Sequence, residues 1–286
     1  MPPEPPSAAV PPAPAPAPAC PQEMVRVEPH PKSGELKTPA VYCVDRYEDT
    51  VVDKNTNRPA TPYYPPDANR CAMFEKIWKQ NKGGGTVLEQ TMPLPPLPEW
   101  EKSKTFVPVA VSRAGEVPQA YASGVDAKHA CENAGKRLCT MLEWRTACRG
   151  DSDRDFPYGD TYQAGQCNIF GPAHPGVLLW ADPTINHTDP RFNLVKYRGN
   201  LMLRRTGATK TCVSQWGADG IYDMNGNVDE WVDDQKGMFL GGFYARGKKD
   251  GCQSRVTAHP KEYSDYSTGI RCCKDAALAE APAAQP

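Results

Sequence analysis

The stretch WGADGIYDMNGNVDEW (residues 216–231) is followed by FLGGFYARG (239–247) and TAHPKEYSDYSTGIRCC (257–273). Gly, Asn, Asp, Ser and Pro interrupt these segments and favour turns, while the apolar runs between them are only a few residues long. Such a pattern predicts short strands joined by long loops. Because the same turn residues recur along the rest of the chain, the sequence predicts a compact α+β domain with an irregular surface.

Two short helices are signalled upstream of these segments. Ser123 is a suitable N-cap for a helix over about residues 124–133, which carries small apolar residues at helical spacing. Thr140 and Glu143 match a capping box and predict a second helix over residues 141–149. A glycine shortly after each pattern supplies the stop.

Composition narrows the classes of function. The chain has 286 residues, 39% of them hydrophobic, and a formal net charge of −1. It is long enough for one good core, and possibly two, and it lacks the basic excess that nucleic-acid binding requires. No apolar run reaches the roughly 18 residues that a membrane-spanning helix needs. We therefore expect neither a nucleic-acid partner nor a transmembrane helix.

The two ends of the chain differ from the middle. Residues 1–22 are dominated by Pro and Ala and predict a disordered arm, and residues 276–286 predict a disordered tail. The arm is either an ordinary disordered terminus or a tether to a bacterial envelope. It shows no basic start and no continuous apolar stretch before Cys20, so it does not read as a secretory signal. The expected folded domain spans residues 24–275.

Two long segments interrupt the domain. The first insertion, residues 52–106, predicts one surface helix of about ten residues that ends at the glycines of residues 83–85. The second insertion, residues 171–211, has an apolar cluster at residues 177–180. Loops of this length usually carry function or cover a site.

Cysteine content indicates the compartment. Eleven cysteines are present: Cys20 in the arm, and Cys43, Cys71, Cys131, Cys139, Cys148, Cys167, Cys212, Cys252, Cys272 and Cys273 in the domain. An even set of ten in one domain favours an oxidising compartment and up to five disulfides. A structural zinc is not expected, because no Cys-x-x-Cys occurs and the histidines lack paired spacing. The candidate pairs are Cys43 with Cys71, Cys167 with Cys212, and Cys252 with Cys272 or Cys273.

The opening segments resemble, in the same order, segments of the formylglycine-generating enzyme family, also called the sulfatase-modifying-factor domain. CVDRYE (43–48), VPVAVSRAGE (107–116), AGKRLCTMLEWRTACRG (134–150) and FPYGD (156–160) resemble the family's earlier landmarks. The resemblance covers roughly residues 24–273. It implies an elaborated C-type-lectin-like fold with little regular structure.

The loop that begins at residue 223 has oxygen ligands for a hard cation, since a Gly turn lets carboxylates and carbonyls converge. The resemblance implies a structural calcium ion held by Asp223, Gly226, Val228 and Glu230, and a second site that uses Asn168 with Ile169. The alternative is that residues 225–227 form only a turn before a buried Trp231.

The family's oxidase chemistry is not expected here. The resemblance implies two copper-binding cysteines just after Gly-Gly-Ser-Tyr, but this chain has Phe243 in place of the serine and Arg246 in place of the first cysteine. One thiolate from Cys252 cannot form a two-coordinate site for monovalent copper. We therefore predict no copper and no oxidase activity. The alternative is that Cys252 and another cysteine rebuild such a site.

The candidate ligand-pocket residues are Trp216, Trp231, Tyr244, Arg246, Arg255 and His259. The aromatic residues have the alternative of a core position, and His259 that of a structural role. Arg255, like Arg271, has the alternative of an internal ion pair with a carboxylate such as Glu230.

The sequence favours a non-catalytic protein of the bacterial envelope that binds a protein, peptide or glycan. The expected location is the periplasm, the outer membrane as a lipoprotein, or the exterior. The alternative is a metal-dependent oxidase of the formylglycine-generating or related periplasmic maturation type with a rearranged site. A purely structural assembly subunit would have the same sequence features as a binding protein.

Overall fold

The computed structural model describes residues 20–29, 40–247 and 249–276. Residues 1–19 of the expected arm and residues 277–286 of the expected tail lie outside this part of the chain. The helices are α1 (Ala68–Asn81), α2 (Val87–Thr91), α3 (Gly124–Asn133), α4 (Met141–Arg149) and α5 (Pro175–Trp180). The strands are β1 (Met24–Val27), β2 (Tyr42–Asp45), β3 (Asp49–Asp53), β4 (Pro108–Ser112), β5 (Arg137–Leu138), β6 (Lys196–Tyr197), β7 (Asn200–Leu201), β8 (Val213–Trp216), β9 (Asp219–Tyr222), β10 (Asp229–Trp231), β11 (Phe239–Leu240), β12 (Arg255–Val256), β13 (Thr268–Gly269) and β14 (Cys272–Asp275).

Two small four-stranded sheets organise these elements. One has the order β1-β2-β14-β5, so that the last strand pairs with strands from the beginning and the middle of the domain. The other has the order β12-β11-β10-β13, and its β10–β13 pair is parallel. Short helices, many short strands and long connections confirm the predicted irregular α+β domain.

Both capping predictions are confirmed. The Ser123 and Thr140 side chains accept hydrogen bonds from backbone N–H groups in the first turns of α3 and α4, and Asp126 and Glu143 complete the two capping boxes. These local contacts satisfy N–H groups that otherwise lack partners at a helix start. The Trp144 face of α4 packs into the central core.

The first insertion is more than a surface feature. Its helix α1 begins after Asp67, which caps it, and runs for 14 residues rather than about ten. Cys71 and Phe74 on α1 are buried in one hydrophobic cluster with Leu179, Trp180 and other residues of the second insertion. The two insertions therefore pack against each other in one core, which also includes Tyr121, Val228 and Tyr266 of the rest of the domain.

Five disulfides staple the domain: Cys20–Cys43, Cys131–Cys272, Cys139–Cys273, Cys148–Cys252 and Cys167–Cys212. Cys167–Cys212 confirms a predicted pair. The predicted pairing of Cys43 with Cys71 is wrong, and so is that of Cys252 with Cys272 or Cys273. Adjacent residues of a strand point to opposite faces, so Cys272 reaches α3 while Cys273 reaches Cys139 next to α4.

Cys71 is the one cysteine left unpaired among the eleven, all of which the structure describes. Its thiol is buried and donates to the Pro65 carbonyl at 3.0 Å. Burial raises the pKa of this thiol far above its usual range, with the Glu101 carboxylate adding to the effect. Cys71 is therefore an inert core residue.

Candidate functional site

Glu230 on β10 forms a fully buried ion pair with Arg271. The guanidinium Nε lies 2.8 Å from Glu230 Oε2, and its Nη2 lies 2.7 Å from Oε1. Trp144 Nε1 donates to Oε2 at 2.5 Å. Arg271 also donates to the Asp45 carbonyl at 2.7 Å and to the Tyr222 carbonyl at 2.8 Å. The internal ion pair considered for Arg271 is confirmed, and it joins β2, β9 and β10 to the start of β14.

Two further buried carboxylates lie beside this pair. Asp223 has a left-handed backbone, with φ of 62°, and its Oδ2 accepts the Gly207 N–H at 2.6 Å. Glu48 accepts from Asn227 Nδ2 at 2.6 Å. Burial raises the pKa of Glu48 well above its usual range, and the negative charges of Asp223 and Glu230 raise it further. Glu48 was not among the predicted site residues, although it ends the CVDRYE segment.

These side chains do not fit a calcium ion held by Asp223 and Glu230 together. Both oxygens of Glu230 already accept hydrogen bonds from Arg271 or Trp144, and the guanidinium supplies the positive charge. Gly226, with φ of 92°, packs so closely that an added Cβ would lie 2.3 Å from the Asn168 carbonyl oxygen. The loop thus has a clear structural use, and calcium stays a prediction of the resemblance.

Asn168, proposed for a second calcium site, lies against the same loop. Its Nδ2 donates to Asn227 Oδ1 at 2.8 Å and to the Met202 carbonyl at 3.0 Å. Its carbonyl accepts the Asn227 N–H at 2.9 Å. Asn168 therefore links Met202 of the second insertion to the loop that holds Val228.

An ion pair fills the position of the expected copper thiolate. Arg246 contacts the fully buried carboxylate of Asp229, whose other oxygen accepts the Gly242 N–H at 2.9 Å. Burial raises the pKa of Asp229 to about 6, and Arg246 opposes that shift. The Arg246 guanidinium also lies 5.2 Å from the centroid of the Phe243 ring. Asp229 was missed by sequence reasoning because its partner arrives from a loop 17 residues further on.

The thiols that copper would need are committed elsewhere. Cys252 forms its disulfide with Cys148. One group of potential metal ligands, Asp49 with Cys131 and Cys272, has ligand atoms within 4.8 Å of one another. Cys131 and Cys272 are disulfide-bonded to each other, however, so they are not thiolate ligands.

The remaining candidate pocket residues do not form one site. Trp216 and Trp231 are buried core residues, as the structural alternative for them expected. Trp216 Nε1 donates to the Ala147 carbonyl, and Trp231 Nε1 donates to the Ala122 carbonyl. His259 stacks on Tyr263 with ring centroids 3.8 Å apart. Arg255 is exposed on β12 and makes no ion pair with Glu230 or with another carboxylate of the described residues.

Tyr244 lies in the structure where the core meets a cavity. Its hydroxyl donates to Asn193 Oδ1 at 3.0 Å, and the residue is almost fully buried. The cavity has a volume of about 350 Å³ and is lined by Asn168, Gly171, Pro172, Tyr197, Arg198, Asn200, Leu201, Met202, Arg204 and Tyr244. Most of these residues belong to the second insertion. The sequence signals for a site here were the length of this insertion and the candidates Tyr244 and Asn168, which both line the cavity.

The five disulfides place the chain outside the cytoplasm, and its architecture is that of a disulfide-stapled α+β domain. The family described as Sulfatase-modifying factor enzyme 1-like domain matches residues 98–276. The match covers more than half of the chain, and the chain belongs to that family. No curated protein matches the sequence.

Several solved structures are similar in fold at low identity. CarF is 14% identical with a TM-score of 0.41, and the match covers 88% of this chain and 93% of CarF. PvdO from Pseudomonas aeruginosa is 15% identical with a TM-score of 0.39, covering 88% and 91% of the two chains. Treponema denticola variable protein 1 is 11% identical with a TM-score of 0.34, covering 88% and 99%. These scores are too low to carry an argument about function.

Among the described residues, no helix is both long and apolar enough to span a bilayer.

Proposed function

We propose that this chain is a non-catalytic binding domain that works outside the cytoplasm. The observation that carries the proposal is the Arg246–Asp229 ion pair at the position where the resemblance puts the first copper thiolate. A guanidinium cannot ligate a cuprous ion, and its positive charge opposes one. The second thiol within reach in sequence, Cys252, is held in a disulfide.

The binding surface that we propose is the second insertion. Arg191, fully buried, joins it to the first insertion through Glu89 at 2.9 Å and to its own Asp189 at 2.8 Å. A long loop held this firmly is a rigid platform for a cavity rather than a flexible cover. The partner class remains a protein, peptide or glycan of the cell envelope. The proposed location is the periplasm, the outer membrane or the exterior, with the Pro/Ala arm as the proposed tether.

Copper binding separates this proposal from the alternative of an oxidase with a rearranged site. The full chain is mixed with monovalent copper in the presence of a competing chelator, and bound copper per chain is measured together with oxygen consumption on a thiol-containing peptide. We expect no stoichiometric copper and no consumption above that of the free metal. One copper per chain with oxygen uptake would overturn the proposal.

The control is a Cys148→Ser, Cys252→Ser double variant. If adventitious opening of that disulfide supplied the copper ligands, the double variant would lose the copper that the parent chain bound. Equal readings near zero for both chains fit a binding domain without redox chemistry.

A further inference from the structure

The cavity of the second insertion contains two arginines without a carboxylate partner. Within the described residues, no Asp or Glu oxygen lies within 4 Å of the guanidinium nitrogens of Arg198 or Arg204. By contrast, Arg191 and Arg271 in the core each hold a carboxylate. Unpaired guanidinium groups gathered around one concave space favour a ligand that brings its own negative charge.

Both arginines have defined positions. Arg198 lies in the turn between β6 and β7 and has a left-handed backbone, with φ of 49°. Its guanidinium lies 5.4 Å from the centroid of the Tyr197 ring. Arg204 Nη1 donates to Thr209 Oγ1 at 3.0 Å, and the Arg204 N–H donates to Asn227 Oδ1 at 3.0 Å. Burial raises the pKa of Asp223 to about 6, and the positive charge of Arg204 is one of the effects that oppose this shift.

Two amide side chains add acceptors to the same wall. Asn168 uses its Nδ2 within the protein, and Asn200 Nδ2 points to the Arg198 carbonyl at 3.4 Å. Within the described residues, neither Oδ1 accepts a hydrogen bond, and both residues line the cavity, so we assign the two oxygens as acceptors for hydroxyl groups of a ligand. The apolar part of the wall is formed by Pro172, Met202 and the 42% exposed Leu201.

We infer that this cavity binds an acidic sugar, of the uronic-acid class, carried by an envelope glycan. Such a ring combines one carboxylate, several hydroxyl donors and an apolar face, which matches two guanidinium groups, two amide oxygens and an apolar wall in a space of about 350 Å³. A bare inorganic anion would leave the amide oxygens and the apolar wall unused. The inference deepens the proposed binding function and rests on it.

Calorimetric titration of the full chain tests the inference with D-glucuronate as the probe. D-glucose, which lacks the carboxylate, inorganic phosphate, which lacks the ring, and N-acetyl-L-glutamate amide, which carries a peptide-type carboxylate, are the comparison probes. We expect glucuronate to bind at least about tenfold more tightly than each of the three, since a charge-assisted pair and the ring contacts are then lost one at a time.

Variants link the binding to the cavity. Arg198→Gln and Arg204→Gln should each weaken glucuronate binding by about tenfold or more, because each removes one charged donor. The matched control is Arg205→Gln, since Arg205 is exposed, adjacent in sequence and outside the cavity lining, where it donates to the Gly115 carbonyl. The control should bind as the parent does. An unchanged thermal unfolding temperature in all three variants shows that the fold is retained.

Equal binding of glucuronate and the glutamate amide would overturn the sugar assignment in favour of an acidic peptide, and equal binding of phosphate would reduce the cavity to a simple anion site. No binding of glucuronate, or equal loss in the Arg205→Gln control, would refute the inference. Those outcomes leave the copper and oxygen measurements unchanged, so failure of the sugar assignment is distinguishable from failure of the non-catalytic proposal.

Discussion

Arg271 shows how one side chain can organise a buried acidic region. Its guanidinium satisfies Glu230 and two backbone carbonyls, while the neighbouring Glu48 and Asp223 rely on amide N–H donors. A charge without such partners is costly to bury, whereas a fully hydrogen-bonded pair is tolerated. Such a pair adds little net stability compared with apolar side chains of similar volume, but the loss of one partner is costly.

Replacement of Arg271 should destabilise the folded domain. Arg271→Met leaves Glu230 as an unpaired buried carboxylate, and we expect a loss of about 3–5 kcal/mol in the free energy of unfolding, measured by urea titration. The control Arg46→Met removes a pair with the exposed Asp219, and the expected loss is below about 1 kcal/mol. Equal losses in the two variants would contradict the role given to the buried pair.

Glu101 in the first insertion should make the free energy of unfolding depend on pH. Both of its oxygens lie 3.1 Å from the Thr61 N, and burial raises its pKa to about 7. Since that value exceeds the pKa of about 4.3 in an unfolded chain, the folded state binds the proton more tightly. The stability that protonated Glu101 contributes is therefore fully present below about pH 4, and it is lost as the pH rises to 7.

Glu101→Gln keeps an acceptor for Thr61 and removes the titration. We expect the fall in the free energy of unfolding between pH 4 and 7 to be smaller in this variant by up to about 2 kcal/mol, by urea titration at several pH values. The exposed neighbour Glu99 provides the control, and Glu99→Gln should keep the parent profile. An unchanged profile for Glu101→Gln would contradict a protonated Glu101 in the folded state.

At the scale of elements, the two insertions act as one unit. Thr86 at the start of α2 donates to the carbonyls of Leu178 and Leu179 on α5, and Arg191 donates to the Glu89 and Met92 carbonyls on and just after α2. Glu89 in turn accepts the Gly83 N–H at 2.9 Å. The contacts of Thr86 and Arg191 join segments that are about a hundred residues apart in sequence.

Loss of Arg191 should loosen the insertions before the rest of the domain. Arg191→Met leaves Glu89 and Asp189 unpaired, and we expect amide hydrogen exchange in α2 and α5 to rise at least about tenfold, while exchange in β2 and β14 stays near that of the parent. Arg205→Met, at an exposed position of the same insertion, is the control and should change neither region. Uniform acceleration across the domain would mean that the insertions are not a separate unit.

Local signals predicted α3 and α4 but not α2, although Thr86 caps α2. The Ser123 and Thr140 capping boxes predicted α3 and α4 because every contact of such a box lies within four residues. Helix α5 was missed, since its N-cap acceptor is the His174 side chain and its first turn begins with Pro175. Its apolar residues were recognised only as a cluster.

For the whole molecule, disulfides connect regions that the sequence keeps far apart. Cys131–Cys272, Cys139–Cys273 and Cys148–Cys252 each span more than 100 residues. The entropy model gives roughly 4–5 kcal/mol for closing a loop of about that length. Such staples suit a domain whose strands are short and whose surface is mostly loop.

Thiol counting tests this connectivity. Five disulfides take ten of the eleven cysteines, so the native chain should show no reactive thiol and the denatured, unreduced chain should show one. A Cys71→Ser variant should show none in either state. Two or more thiols in the denatured parent chain would contradict the five pairs.

Chelation tests the calcium prediction of the resemblance against the contacts around Glu230. A ligand that binds only the folded state raises its stability by mass action. Because Arg271 already neutralises Glu230, we expect EGTA to leave the unfolding temperature within about 2 °C of its value in millimolar calcium. A larger drop, together with one calcium per chain by elemental analysis, would show that the ion is bound despite these contacts.

The sequence by itself determined the α+β class, the family, α3 and α4, the disulfide-rich character and the replacement of the copper ligand by Arg246. These follow from composition, from local caps or from the residue at one aligned position. Only the tertiary structure decided that Cys43 forms a disulfide with Cys20 and that the second insertion lines a cavity. It also decided the buried ion pairs of Glu230 with Arg271 and of Asp229 with Arg246. Each of these depends on which distant segments lie side by side, and residue spacing along the chain does not encode that.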